Sequence, residues 1–120
     1  PPVVDDPTTP APEPDDVRII AALVNPDGVD ANKETVSLIN TSNLEVDLKD
    51  WTIAGNNDKT FKLVDAVLDA GEIRTFRLPE NTAQLTNRSA KITLRDASNN
   101  IADIVNYYKK DIKSGRTIVF

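Results

Sequence analysis

The sequence predicts an all-β fold, an immunoglobulin-like antiparallel β-sandwich of about seven to nine short strands. Three observations lead there. After Asp16 the apolar residues come in short, β-branched runs separated by turn residues. All four glycines (Gly28, Gly55, Gly71 and Gly115) fall in the gaps between those runs, where a positive φ is easiest to accommodate. Few segments repeat apolar residues at the 3.6-residue spacing of a helix over ten positions. The 104 residues from Val17 to Phe120 also match such a sandwich in size.

The runs are, in order, 17–25 (VRIIAALVN), 34–40 (ETVSLIN), 46–54 (VDLKDWTIA), 59–63 (KTFKL), 72–78 (EIRTFRL), 90–96 (AKITLRD), 101–108 (IADIVNYY) and 116–120 (RTIVF). The first is β-branched and ends at Pro26-Asp27-Gly28. In the second, Val36 and Leu38 frame Ser37, the period-two signature of a half-buried strand. The third carries Val46, Leu48, Trp51 and Ile53 and stops at Gly55-Asn56-Asn57-Asp58. Ala97-Ser98-Asn99-Asn100 reads as a hairpin turn joining 90–96 to 101–108. The best helical candidate is 78–87 (LPENTAQLTN), one turn started after Pro79.

The first 16 residues differ in kind. They hold six of the eight prolines and five carboxylates (Asp5, Asp6, Glu13, Asp15 and Asp16), with no basic residue. Such a segment offers little apolar surface to bury, so residues 1–16 are expected to be a disordered, extended linker ahead of a 17–120 domain. A recognition role is the alternative, since Pro7-Thr8-Thr9-Pro10 fits P-x-x-P. The chain opens Pro1-Pro2 without an initiator methionine, as expected of a piece of a longer or processed protein.

The net charge of −5 resides in that leader, because residues 17–120 carry 14 acidic and 14 basic side chains. A neutral body disfavours nucleic acid as a partner. Cysteine, histidine and methionine are absent. That removes Ser-His and Cys-His catalysis, ordinary zinc sites and haem ligation. No apolar run approaches the roughly 20 residues of a membrane-spanning helix.

The order of these segments resembles the lamin tail domain family in its bacterial form. The resemblance is carried by Asn25-Pro26-Asp27-Gly28, then Glu34, then the strand Val36 to Asn40. It continues through Val46-Asp47-Leu48-Lys49-Asp50-Trp51-Thr52-Ile53, the glycine turn Leu68-Asp69-Ala70-Gly71-Glu72, and a late hairpin from Ile92 to Asp96 and Ile101 to Val105, with Tyr107 just beyond. It spans about residues 17–108. The resemblance implies an immunoglobulin-like sandwich and a non-catalytic accessory module, attached in bacteria to secreted or surface proteins. Thr35 stands where the family often has an aromatic residue, and no heptads or basic nuclear signal precede the domain. The filament role of the animal relatives is therefore not carried over.

Four groups of residues are candidate sites. Trp51, with Leu38, Leu48, Ile53, Ile92 and Leu94, is expected in the core, because six aromatics in the whole chain leave a lone tryptophan few coplanar helpers for a sugar platform. Asp27, Asp30, Asn32 and Glu34 offer oxygens at short spacing to Ca2+. Their spacing departs from the EF-hand loop and Lys33 sits among them, so the expectation is no cofactor, with Ca2+ as the alternative. Carboxylate pairs such as Asp15-Asp16 and Asp65/Asp69 suggest a glycoside hydrolase only if a cleft holds them ~5–9 Å apart, and an enzyme is the least favoured reading. Tyr107, Tyr108, Lys109 and Lys110, continued by Lys113 and Arg116, form a basic and aromatic stretch. It is a candidate partner surface, beside the plainer reading of lysines guarding a sheet edge. Asn40-Thr41-Ser42 and Asn87-Arg88-Ser89 match the glycosylation sequon.

The expected function is a non-enzymatic interaction module of a larger, extracellular or cell-surface bacterial protein, monomeric when excised, whose partner is a protein or surface polymer. A carbohydrate- or Ca2+-binding accessory module is the alternative.

Overall fold

The period-two alternation of Thr35–Asn40 makes it the organising strand. Val36 and Leu38 turn inward and are fully buried, while Ser37 and Ile39 face outward. The computed structural model describes residues 16–24, 34–56, 59–64, 66–79, 82–85, 89–113 and 115–120. Among them are ten strands: β1 (Val17–Leu23), β2 (Thr35–Asn40), β3 (Val46–Asp47), β4 (Thr52–Ala54), β5 (Thr60–Lys62), β6 (Val67–Leu68), β7 (Ile73–Arg77), β8 (Ala90–Arg95), β9 (Ile101–Tyr107) and β10 (Ile118–Val119). The leader assigned to 1–16 lies outside the described residues except for Asp16, and the loop 25–33 lies outside them too.

All pairings are antiparallel. One sheet has the order β10-β1-β2-β7 and the other β5-β4-β8-β9, with a two-stranded ribbon, β3-β6, beside them. Inward residues of both sheets form one cluster, including Val17, Ile19, Val36 and Leu38 from the first and Ile53, Ile92, Leu94 and Tyr107 from the second. This is the immunoglobulin-like sandwich arrangement, with two sheets sharing a core of alternating side chains.

Two bulges adjust the strand parity. In β1 the register shifts between Ile19 and Ala21, so Val17 and Ile19 point inward before the bulge and Ala22 after it. A second shift between β8 and β9 skips Ala102, which is buried. An extra residue on one strand bends it and resets which side chains face the core.

Three local features differ from the sequence reading. The run 46–54 is two strands rather than one, because Asp50 adopts a positive φ of 67° and the chain reverses there. Trp51 N–H donates to the Leu48 carbonyl at 3.0 Å, closing the turn, and Trp51 precedes β4 instead of lying within it. β6 has only two residues, too few for a period-two pattern to show. The helical candidate 78–87 is non-helical at its described positions. Thr82 N–H donates to the Pro79 carbonyl at 3.2 Å, but Leu85 N–H goes to the Glu34 carboxylate and the Gln84 carbonyl accepts from Asn56 N–H. Backbone groups that bond across the fold cannot continue a helical ladder.

Candidate functional site

β10 is an edge strand of the first sheet and β9 an edge strand of the second. The two edges meet on one side of the sandwich through β1: Asp103 on β9 accepts a hydrogen bond from Ile19 N–H on β1 at 2.9 Å. Phe120 N–H donates to the carbonyl of Ile20, the bulge residue, at 2.8 Å and holds the last strand in place. An inward carboxylate and a bulge both discourage a foreign strand from adding to these edges.

Beyond β9 the chain makes a single 3-10 turn, Lys109–Asp111. Lys109 N–H donates to Ser89 Oγ at 2.9 Å, and the Asp111 carboxylate accepts from Tyr108 N–H at 3.2 Å, folding the acidic side chain back onto the turn. Between this turn and β10 lies a cleft of about 430 Å3, lined among others by Asn106, Tyr108, Lys110, Lys113, Val119 and Phe120. Tyr108 is 52% exposed, Val119 78% and Phe120 37%. Lys110 and Lys113 of the lining are exposed, as are Lys109 and Arg116 nearby in the chain. An exposed aromatic ring beside apolar side chains and cations can seat a chain with apolar and anionic character.

This geometry divides the predicted partner surface. Tyr107 is fully buried, and its hydroxyl lies 3.4 Å from Asn56 Oδ1. It therefore leaves the surface candidates, because its inward parity on β9 places it in the core. Tyr108, Lys109 and Lys110 stay on the surface.

The other candidates separate similarly. Trp51 is 7% exposed and belongs to the core cluster, and Leu38, Leu48, Ile53, Ile92 and Leu94 are fully buried there. Of the four Ca2+ candidates, Asp27, Asp30 and Asn32 lie outside the described residues. Glu34 is buried; its Oε1 accepts from Leu85 N–H at 2.8 Å, and its backbone carbonyl accepts from Leu78 N–H at 2.9 Å. That carboxylate is a tether for the 82–85 segment. Of the paired carboxylates, Asp15 and Asp65 are outside the described residues, and Asp69 is exposed.

A residue the sequence reading missed is Asn40. It is fully buried. Its Nδ2 donates to the carbonyls of Leu44, Leu68 and Asp69 at 2.7, 3.1 and 3.2 Å, and its Oδ1 accepts from Ser42 N–H and Ser42 Oγ at 2.9 and 2.7 Å. Its own backbone links Glu72 and Gly71. The amide is thus saturated, and in the folded chain it is inaccessible to glycosylation. Asn87, the other sequon asparagine, lies outside the described residues. The signal for both Glu34 and Asn40 was parity: they share the inward phase of Val36 and Leu38. Next to this network, Glu72 accepts from Asp69 N–H and from Arg74 Nη2, each at 2.8 Å. These two donors hold its carboxyl below the ordinary value of 4.5.

The family profile of the Lamin Tail Domain matches residues 10–109, covering every strand up to and including β9. The chain belongs to the lamin tail domain family. Members of that family are immunoglobulin-like domains, generally non-catalytic interaction modules. No match was found among curated proteins. The lamin tail match ends at Lys109, so the cleft's two lining lysines, Lys110 and Lys113, and all of β10 lie beyond it. Among the described residues no helix is long and apolar enough to cross a membrane.

Proposed function

We propose that this lamin tail domain is a docking module of a larger bacterial protein, displayed outside the cell or on its surface, and that it engages a protein partner through the β9–β10 cleft. The observation that carries this reading is the cleft itself. It exposes Tyr108, Val119 and Phe120 beside Lys110 and Lys113, and none of these five side chains belongs to the buried core. Exposed apolar groups gathered in one concavity, rimmed by charge, mark interaction sites in folded domains. A sugar-binding role loses its best residue, because Trp51 is buried.

The test is labelling of intact cells that carry the native protein with a membrane-impermeant amine reagent, followed by lysine-directed cross-linking. Modification of Lys110 and Lys113 before lysis, with cross-links from them to a second protein, is the expected result. Modification only after lysis contradicts surface display. Cross-links that avoid the cleft contradict its role in docking.

A further inference from the structure

We infer that the β9–β10 cleft takes an acidic, proline-rich, extended chain, and that its occupant is residues 1–15 of this same chain. The inference rests on the reading of the cleft as an interaction surface and names its occupant. Three observations converge on it.

The first is charge. Lys110 and Lys113 line the cleft, Lys109 and Arg116 are exposed next to its lining residues in the chain, and Asp111, the acidic residue of the lining, has its carboxylate turned back onto Tyr108 N–H. The body is neutral as a whole, so the chain's excess negative charge lies in the leader. Residues 1–15 carry Asp5, Asp6, Glu13 and Asp15 and no cation.

The second is shape. Tyr108 and Phe120 present partly exposed rings in one open groove, with Val119 beside them. Aromatic-lined grooves recognise polyproline II segments, whose rings stack on aromatic faces and whose backbone carbonyls have no internal partners. Six prolines and a P-x-x-P spacing at Pro7-Thr8-Thr9-Pro10 give the leader that chemistry.

The third is reach. The carbonyl of Asp16 is fixed by Thr41 N–H at 2.8 Å and by Thr41 Oγ1 at 2.7 Å, which anchors the leader's exit at the start of β1. Val119 pairs with Ala21, five residues along β1 from Asp16, so the cleft is roughly 17 Å away at ~3.3 Å per strand residue. Fifteen residues of polyproline II extend about 46 Å, enough to double back along the edge and lie across the groove.

The chain has no cysteine, so Thr8→Cys gives a unique position for a nitroxide label in the full chain. Paramagnetic relaxation of backbone amides should be several-fold stronger at Tyr108, Lys110 and Val119 than along β7 and β5. The difference should disappear when salt is raised from about 0.1 M to about 1 M, which shortens the Debye length from about 10 Å to about 3 Å. It should also disappear in Lys110→Glu/Lys113→Glu, with unchanged shifts in β2 and β8 showing an intact fold. Pro7→Gly/Pro10→Gly should weaken it. When nitroxide-bearing chains without isotope are mixed with isotope-labelled chains lacking the cysteine, no relaxation enhancement is expected. Weak or evenly spread relaxation overturns the inference, as does full retention in the proline variant. Strong relaxation in the mixed sample replaces the intramolecular occupant with a neighbouring copy and overturns it as stated. These results concern the occupant alone; the cleft's role in docking is decided by the cell-surface cross-links.

Discussion

The inward row of β2 and the β9–β10 edge use polar chemistry in opposite ways. Along β2, two apolar residues, Val36 and Leu38, are bracketed by two buried polar ones, Glu34 and Asn40. Each polar end ties down a distant segment: Glu34 holds Leu85 at one end of the sandwich, and Asn40 holds Leu44, Leu68 and Asp69 at the other. Along the edge, Tyr108, Lys110 and Lys113 stand at the surface and line a cleft. A buried polar group without its partner is destabilising by about 1–3 kcal/mol, whereas an exposed one changes stability little. The difference shows which side chains the fold consumes and which it leaves for a partner.

The largest expected effect tests the closed region. Trp51→Ala should destabilise by about 3–5 kcal/mol, as truncation of a buried large aromatic does. Denaturant unfolding gives the value, and native tryptophan emission of the parent should be that of a shielded indole. A near-neutral variant and a water-like emission would move Trp51 to the open surface and break the contrast.

Gly55→Ala probes whether close packing extends to the end held by Glu34. A Cβ on Gly55 would collide with the Gln84 carbonyl oxygen and lie 3.2 Å from a Leu85 methyl. Backbone must move to admit it, so a loss of about 1–3 kcal/mol is expected in the same assay. No loss would mean that the 82–85 segment yields readily and that this end is less tightly closed than the Asn40 end.

A smaller effect is expected at Glu72, which sits beside the Asn40 network but is partly exposed, with side-chain exposures of 38% for Arg74 and 30% for Glu72. Its carboxyl is held low in the folded state by Asp69 N–H and Arg74. Its contribution is therefore present in full above the ordinary value of 4.5 and is lost as the pH falls through the lowered folded value. Solvent screening keeps the effect small. Midpoints measured from neutral pH to below 4 should fall slightly more steeply for the parent than for Glu72→Gln. Identical slopes would remove Glu72 from the network.

The smallest expected effect is none. Because the oxygens of the 25–34 stretch lack a Ca2+-loop spacing and Lys33 sits among them, we expect no tight Ca2+ site there. A specific site would stabilise the domain by about 2.7 kcal/mol at a hundredfold excess over Kd. Thermal midpoints in chelator, Mg2+ and Ca2+ should coincide. A rise with Ca2+ alone, abolished by Asp30→Asn, would establish the site.

The sandwich was legible because its longer strands alternate or run apolar between turn residues, as in Val36–Leu38 and Ile92–Leu94. The hairpin at Ala97–Asn100 was legible from its turn residues. The Asp96 carboxylate accepts from Ser98 N–H and Asn100 N–H, and Asn99 takes a φ of 69°. The turn within 46–54 was not legible, because a positive φ at Asp50 leaves no periodic trace. Nor was β6, at two residues. Tyr107 and Tyr108 looked equivalent in sequence, and only the β9 register separates them. Asn40 was hidden by its sequon, although its inward phase in β2 marked it. The cleft forms between the Lys109–Asp111 turn and Ile118–Val119, and a linear reading carries no sign of that concavity.

The central claim is that the β2 row holds the fold while the edge cleft is left free for binding. Urea unfolding of Asn40→Ala beside Tyr108→Ala tests it most directly. Asn40→Ala strips the Leu44, Leu68 and Asp69 carbonyls of a shared donor and should destabilise by about 2–4 kcal/mol. Tyr108→Ala should stay within about 0.5 kcal/mol of the parent, as surface substitutions do. A tolerated Asn40→Ala, or a Tyr108→Ala that loses as much as Asn40→Ala, would contradict the account.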